Sequence, residues 1–536
     1  MIVIGAGING CGIARDAALR GLKVVLIDKG DIAAGTTSWS TRLIHGGLRY
    51  LEHLEVGLVR ESLRERERLL RIAPHLVRPL SFLIPIYERD RRGPWTIRAG
   101  MLAYDALSLD KSEARHHMLN PARALEREPG LSPEGLEGAA VYYDAQAEYP
   151  ERLALENALD AHDHGAVILT HHAVRRLEVQ DRRIQGVTLD GGETLRAPVV
   201  VNVAGPWVDE VLGELAAAPA QRLVGGTKGV HLVVESFPGA PDEALYVEAG
   251  DGRPYFIVPW NNLFLIGTTD TRYEGDLDHV VAEEEEIEYL ISATNEVIPP
   301  ANLTRYDVLY TYAGVRPLPE TAGQEGSVTR SHVIHDHAPE IDGLLSIVGG
   351  KLTTFRQLAQ ETMDAVLGKL EREAHPCRTG EVPLPGGAVE DWESFAESFV
   401  ERAPVSDVVA RRLLRIYGTQ AEEVLTVASG RPELSASFDP DTGAIGAEVV
   451  HALEAELAGN LADVLLRRTM VGLGRHAGIG ADEAAARVCR EQLGWEDERA
   501  RAEVAAYREG LRDMRPRDLE RASDRAPDNP VSWGRS

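Results

Sequence analysis

A chain of 536 residues with 44% hydrophobic and 26% charged residues holds enough apolar material for two or three domains with large cores, and it is not a disordered polymer. Its formal net charge of −27 argues against nucleic acid as a partner, although only six of its 57 basic residues are lysine. Three scattered cysteines, Cys11, Cys377 and Cys489, are too few for a disulfide framework, a zinc site or an iron–sulfur cluster. With no run of about eighteen apolar residues and no signal-peptide pattern, the expected location is the cytoplasm or the cytoplasmic face of the membrane.

The chain opens on "MIVIGAGINGCGIARDAALRGLKVVLIDKG". Residues 2–4 read as a strand, Gly5, Gly7 and Gly10 give the spacing GxGxxG, residues 13–22 read as a helix and residues 23–27 as a second strand. In that order one glycine makes the tight turn, the next lets backbone approach a pyrophosphate, and the third lets helix pack on strand. The helix N-terminus then faces the phosphates. Asp28 ends the second strand, where a carboxylate accepts hydrogen bonds from ribose hydroxyls and repels a 2′-phosphate. FAD or NAD is favoured over NADP; the motif does not choose between them.

Thr36, Thr37 and Ser38 are expected to precede a helical segment, and His45-Gly46-Gly47-Leu48-Arg49-Tyr50 sets a His, an Arg and a Tyr around a glycine pair. Residues 88–107 combine Arg89, Arg91, Arg92 and Arg98 with Trp95, Met101, Leu102 and Tyr104, a composition that suits either a membrane interface or a packed helix with snorkelling arginines. Strands are expected at 166–170 and 173–177, then a turn at Asp190-Gly191-Gly192. "APVVVNVAGPWVDEV" follows, a buried strand that runs through Ala204-Gly205-Pro206 into a helix and returns the chain to the first glycine loop. Residues 216–335 read as strands of a second sheet with a helix at 283–297. "GGKLTTFRQLA" then leads into a helix at 354–370. Beyond a Pro/Gly linker at 382–388, Ala, Glu, Leu and Arg recur at helical spacing to about 511, and residues 515–536 read as a frayed polar tail.

The glycine turn through "ARDAALRG", "SWSTRLIHGGLRYLE", "GVHLVV", "IVPW", "IGTTD", "GVRPL" and "GGKLTTFR" occur in one order. In that order they resemble the FAD-dependent glycerol-3-phosphate dehydrogenases, the respiratory, quinone-reducing kind, within the D-amino-acid-oxidase-like flavoprotein superfamily. The resemblance covers about residues 1–520. It implies an α/β fold: a Rossmann-type FAD-binding domain from 1–75, 151–215 and 336–375, a mixed or antiparallel-sheet substrate cap from 76–150 and 216–335, and a C-terminal α-helical domain at 386–514. It also implies oxidation of sn-glycerol 3-phosphate to dihydroxyacetone phosphate by hydride transfer to FAD, with electrons passed to a membrane quinone. An oxygen-using glycerol-3-phosphate oxidase, or an amine or D-amino-acid oxidase of the same fold, is the alternative. Peripheral contact with the inner face of the cell membrane and no metal are expected, and the resemblance leaves room for a homodimer.

The same resemblance implies roles for particular residues. The cofactor set is Gly5, Gly7, Asn9, Gly10, Asp28, Thr36, Thr37, Ser38, Gly46, Gly47, Val174, Ala204, Gly205, Gly350, Lys351, Leu352 and Thr353. Arg49, Tyr50, Arg316 and Arg330 are expected to bind substrate, because guanidinium forks converging on one dianion suit a phosphomonoester. Lys351 would stabilise negative charge on reduced flavin. His45 and His231 are both candidates for the base that takes the hydroxyl proton. Exposed acids are screened beyond about 8 Å at physiological salt, so a convergent cluster of Arg49, Arg316, Arg330 and Lys351 dominates locally over the net negative charge.

Overall fold

Ile2–Ile4 lies inside a six-stranded sheet, between Val200–Asn202 on one side and Val25–Ile27 on the other, with Ile2 opposite both Val200 and Val25. Val167–Leu169 extends the sheet past Val25–Ile27, and Leu344–Val348 and Val333–Asp336 extend it past Val200–Asn202. All pairs are parallel except the last. Parallel strands covered on both faces need continuous apolar runs, and Ile2–Ile4 and Leu344–Val348 are buried throughout. The computed structural model describes residues 1–47, 55–107, 115–216, 221–320 and 331–519; Arg49, Tyr50 and Arg330 lie outside the described residues.

The first helix runs Ile8–Leu19, starting five residues earlier than expected. Gly10 and Gly12 read as poor helix formers, but contact decides these positions. A Cβ on Gly10 would sit 1.8 Å from Gly5 O, and one on Gly12 would sit 2.8 Å from the ring of Phe355. Their absence lets the helix lie against its own strand and against helix Phe355–Leu370, while helix Pro150–Asp163 packs on its other flank. The opposite face of the sheet is covered by an antiparallel three-stranded sheet, Val174–Gln180, Arg183–Leu189 and Thr194–Arg196, and by helix Val208–Gly213.

A second, ten-stranded sheet is antiparallel apart from one parallel pair, Ala244–Glu248 with Val77–Tyr87. At its centre of interest, Thr227–Val234 is paired with both Leu263–Gly267 and Val308–Arg316. Leu43–Ile44 joins its far edge against Leu136–Ala147, so the segment after Ser38 crosses from the parallel sheet to the second one. Residues 392–510 are mainly helical, with a small hairpin, Ser437–Asp439 and Ala444–Ile445, that the composition did not announce. Residues 515–519, expected in the frayed tail, are tied down: Arg515 Nη1 donates to Ala282 O at 3.1 Å and His476 meets Asp518 at 2.8 Å. Among the described residues no helix is long and apolar enough to cross a membrane.

Candidate active site

The glycine turn is built for close approach. Gly5 takes φ +108°, and a Cβ there would lie 2.6 Å from Val203 O, so the turn abuts the strand that leads into Ala204 and Gly205. Gly7 is the extended residue before the first helix, and the N–H of Ile8 donates to Thr37 Oγ1 at 3.1 Å. Asp28 Oδ2 accepts from the N–H of Ala6 at 2.6 Å and Oδ1 from that of Gly30 at 2.8 Å. Burial pushes its carboxyl above the usual range, and these two N–H donors work against that shift. Val174 opens its strand two residues beyond His172, whose N–H donates to Asp28 O at 2.9 Å.

No helix follows Thr36, Thr37 and Ser38 among the described residues 39–47; the segment is a run of turns leading to Leu43–Ile44. The hydroxyls serve the fold instead of a helix cap. Thr36 Oγ1 donates to Val315 O and Ser38 Oγ to Ala33 O, both at 2.7 Å. Asn9 faces Gly349 and Gly350 across the turn, and its Oδ1 is buried with no hydrogen-bond partner among the described residues. Gly350 takes φ +99°, and a Cβ there would lie 2.7 Å from Asn9 Nδ2. A glycine cradle, a helix N-terminus and an orphaned buried acceptor together fit a bound dinucleotide.

On the other side of Gly350 a cavity of about 190 Å³ brings together Thr36, His45, His231, Arg316, Lys351 and Thr353, with Gly350 and Leu352 in its wall. Arg316, the last residue of Val308–Arg316, donates through Nη2 to Thr268 Oγ1 at 2.9 Å and to Thr269 O at 3.2 Å, and through Nη1 to Asp270 at 3.2 Å. Gly229 leaves room for that fork, since a Cβ would sit 2.3 Å from Nη2. His231 is buried, its Nε2 is 2.9 Å from Thr41 Oγ1 and its ring lies 4.9 Å from that of Tyr312. Burial first, then the positive Arg316 and Arg42, hold its pKa well below the ordinary histidine value. The ring is neutral at physiological pH.

The loop His45–Gly47 is held from behind by Thr353, expected at the cofactor, by Tyr104, expected in a membrane-interface or packed helix, and by Asp144 and Arg66, to which sequence reading gave no role. The N–H of His45 donates to Thr353 Oγ1 at 3.1 Å, and that of Gly46 donates to Tyr104 OH at 3.0 Å and to Asp144 Oδ1 at 3.2 Å. Tyr104 OH and Arg66 Nη1 also bond Asp144, at 2.8 and 2.7 Å, and all three side chains are buried. Arg42 is fully buried, donates to both oxygens of Glu151 at 2.8 and 2.9 Å and lies 4.5 Å from the Trp260 ring centroid. The one available signal was an acid inside an apolar strand, "VYYDAQA".

A family model described as FAD dependent oxidoreductase matches residues 1–356, and one described as the C-terminal domain of alpha-glycerophosphate oxidase matches residues 377–500. The chain is similar to a glycerol-3-phosphate dehydrogenase of Synechocystis sp., 46% identical over 536 residues and covering 95% of each chain. The chain belongs to the FAD-dependent glycerol-3-phosphate dehydrogenase family. FAD is therefore the cofactor, which resolves the choice the motif left open. Among its relatives, a D-erythritol 1-phosphate dehydrogenase of Brucella abortus is 40% identical over 484 residues, 88% of this chain and 93% of that one. A glycerol-3-phosphate dehydrogenase from Bacillus halodurans, solved complexed with FAD, superposes with a TM-score of 0.77 at 28% identity, covering 96% of this chain and 94% of that one. Both nearby family names describe oxidation of a phosphorylated polyol.

Proposed function

We propose that this chain oxidises sn-glycerol 3-phosphate to dihydroxyacetone phosphate and passes the electrons to a membrane quinone. The observation that carries the reading is the single cavity in which Arg316, Lys351 and a neutral, buried His231 meet the flavin-side loop at Gly350. Arg316 binds the phosphate, already aimed by Asp270 and Thr268. His231 takes the proton of the C2 hydroxyl, a task for an unprotonated imidazole. His45, whose backbone is fixed by Thr353, orients the loop at the same cavity. Lys351, after the Gly349–Gly350 turn, stabilises negative charge that builds up on the cofactor side. FAD, when bound, supplies the two-electron acceptor. Arg49, Tyr50 and Arg330 complete the substrate clamp in this reading.

Electrons bound for a lipid-soluble quinone must leave at a lipid surface, and helix Pro94–Leu107 supplies a contact. Trp95 is 81% and Leu102 57% exposed, on a face shared with Ala99, Ala103 and Arg98. Arg89, Arg91 and Arg92 do not serve as free basic contacts: Arg89 pairs with Glu296, Arg92 with Glu248, and Arg91 donates to Asp251 O. The lipid contact is thus apolar, through Trp95 and Leu102, with Arg98 as its cation.

The test is anaerobic mixing of the holoenzyme with glycerol 3-phosphate, glycerol or D-erythritol 1-phosphate. Rapid loss of the visible flavin absorbance with glycerol 3-phosphate alone is the expected result; equal bleaching by glycerol removes the phosphate site, and faster bleaching by the longer polyol reassigns the substrate. Reoxidation by a short-chain quinone faster than by air supports the quinone, and the reverse order makes the protein an oxidase. For the membrane contact, vesicle co-sedimentation should fall in Trp95→Ser/Leu102→Ser and persist in Arg89→Ser/Arg91→Ser. Equal binding by the native chain and the Trp95/Leu102 variant moves the contact elsewhere.

A further inference from the structure

His231 is gripped on two faces by the sheet that carries it. It stands opposite Gly267 on one neighbouring strand and Tyr312 on the other. A Cβ on Gly267 would come 2.6 Å from His231 Cδ2, and the Tyr312 ring covers the other side at 4.9 Å and 33°, itself pinned by a bond from its hydroxyl to Ser40 O at 2.9 Å. Packing of this kind fixes the plane of an imidazole. It does not choose between the ring and its 180° flip, which fill nearly the same space but exchange Nδ1 with Cδ2 and Nε2 with Cε1.

One polar contact breaks that degeneracy. Nε2 lies 2.9 Å from Thr41 Oγ1, whereas Nδ1 is buried and has no hydrogen-bond partner among the described residues. Thr41 is half-buried and lines the same cavity as His231 and Arg316, so Nε2 is the ring nitrogen on the cavity side. A hydroxyl can serve both protonation states by rotating: its O–H donates to Nε2 of the neutral ring until the substrate hydroxyl takes over that single lone pair, and its oxygen then accepts from Nε2–H of the imidazolium.

We propose that Thr41 is a positioning residue for His231, selecting the ring orientation that presents Nε2 to the substrate hydroxyl and accepting the Nε2–H bond once the proton has moved there. The inference rests on the reading of His231 as the proton acceptor. In the step it supports, the O–H bond at C2 breaks and its proton goes to Nε2, while the hydrogen on C2 leaves as hydride to FAD and the C–O single bond becomes the carbonyl. Thr41 gains and loses no proton in that balance. Without its hydroxyl the imidazolium loses its acceptor in a cavity that already holds Arg316, and the two ring flips become equally available.

The test uses holoenzyme of Thr41→Val, Thr41→Ser and His231→Asn, each checked for FAD content and thermal stability. The rate of flavin reduction by glycerol 3-phosphate is followed against pH, and the ring ¹⁵N resonances of His231, assigned by their loss in His231→Asn, are recorded with and without substrate. Thr41→Val is expected to reduce at least tenfold more slowly at saturating substrate, with little change in substrate affinity, a displaced acid limb and altered His231 ¹⁵N shifts. Thr41→Ser is expected to restore all of these. A Thr41→Val enzyme with native rate, pH profile and ring shifts overturns the proposal, as does a loss that Thr41→Ser fails to rescue. A His231→Asn enzyme that reduces at the native rate overturns the reading of His231 itself. A slow His231→Asn beside a native Thr41→Val leaves that reading standing and removes only Thr41. Should Thr41→Val not fold, Thr41→Ala, which introduces no added bulk, is measured against the same criteria.

Discussion

Arg468 and Asp31 lie 437 residues apart in the chain and meet through two hydrogen bonds, 2.8 and 2.9 Å long, with both side chains fully buried. Arg467 adds a third at 2.6 Å, both arginines coming from one π-helical turn, Val464–Arg468. Asp31 follows the Asp28 corner of the dinucleotide turn, so the C-terminal helices are fastened directly to the cofactor side of the protein.

Breaking that fastening from one side should be costly. Asp31→Ala leaves the buried Arg468 guanidinium without its counter-ion and Arg467 with Asp463 alone, and about 3–5 kcal/mol of unfolding free energy is the expected loss. The joint replacement Asp31→Leu/Arg468→Met, which removes the central buried pair together, should recover part of it. Denaturant unfolding of the holoenzyme, followed both by fluorescence and by FAD release, measures the loss. A change under 1 kcal/mol for Asp31→Ala would mean that water reaches this pair.

The dinucleotide turn makes a second test. Gly5→Ala forces a side chain onto φ +108° and into Val203 O, so the variant should purify with little flavin while the chain remains folded. In the native protein, acid precipitation should leave a colourless pellet and release intact FAD to the supernatant, the signature of a non-covalent cofactor. A yellow pellet would require a covalent link to some side chain.

Arg316→Ala should remove about 3 kcal/mol of transition-state binding for glycerol 3-phosphate, the usual loss when one partner of a buried charged pair is truncated. Arg316→Lys should keep only a small part of this, because an ammonium cannot reproduce the fork that Thr268 and Asp270 already aim. The comparison of kcat/KM for glycerol 3-phosphate and for glycerol decides the matter. An equal loss on both substrates places the role of Arg316 in the fold and not in phosphate recognition.

What could be read from the sequence was what is local. Gly5, Gly7, Gly10 and Asp28 fall within one β-turn-α-β unit, and "GGKLTTFR" is contiguous, so these positions declare themselves before any tertiary contact is known. The cavity gathers His45, His231, Arg316 and Lys351 from four separate stretches. The residues that hold them were invisible for the opposite reason. Asp144 acts on Gly46 across 98 residues and Glu151 on Arg42 across 109, and nothing in the spacing of either pair marks it. The early start of the first helix escaped because the close contacts that glycine permits at Gly10 and Gly12, against Gly5 O and the Phe355 ring, are not visible in the local pattern. Residues 515–519 look like a polar tail until Arg515 and Asp518 are seen bonded to Ala282 and His476.

The low pKa of His231 fixes the direction of a pH effect. In the proposed mechanism its unprotonated form is the active one, and burial with Arg316 and Arg42 nearby keeps it unprotonated below the usual histidine value of about 6.5. The acid limb of kcat/KM, which reports the free enzyme, should therefore lie well under that pH. A bound phosphate dianion cancels the field of Arg316, so the limb of kcat should lie higher than that of kcat/KM. Stopped-flow reduction between pH 4.5 and 8 separates the two, provided the titration of the substrate phosphate at about 6 is allowed for. Coincident limbs, or a limb above pH 7 in kcat/KM, would assign the base to another group.

His171 gives the contact between domains an opposite pH dependence. It sits at the end of the strand Val167–Leu169, its N–H donates to Gly30 O at 2.8 Å, and its Nε2 is 2.9 Å from Asp463 Oδ2 on the C-terminal side. The groups that face it are Asp463, Asp31, Arg467 and Asn460. The bond to Asp463 raises its pKa, with burial opposing, while His171, Arg467 and Arg468 outweigh burial and hold Asp463 well below the usual carboxylate range. A histidine whose folded pKa exceeds its unfolded value stabilises the protein fully below the unfolded value of about 6.5, and that stabilisation is lost as pH rises through the folded value. His171→Gln should therefore weaken the protein at pH 5.5 more than at pH 8.5. Thermal unfolding and FAD release of native and variant holoenzyme at those two pH values are the measurement. The gap between them should close at the higher pH, where Asp463 keeps Arg467 as its partner, and a gap of equal size at both would show that His171 contributes through packing and not through charge.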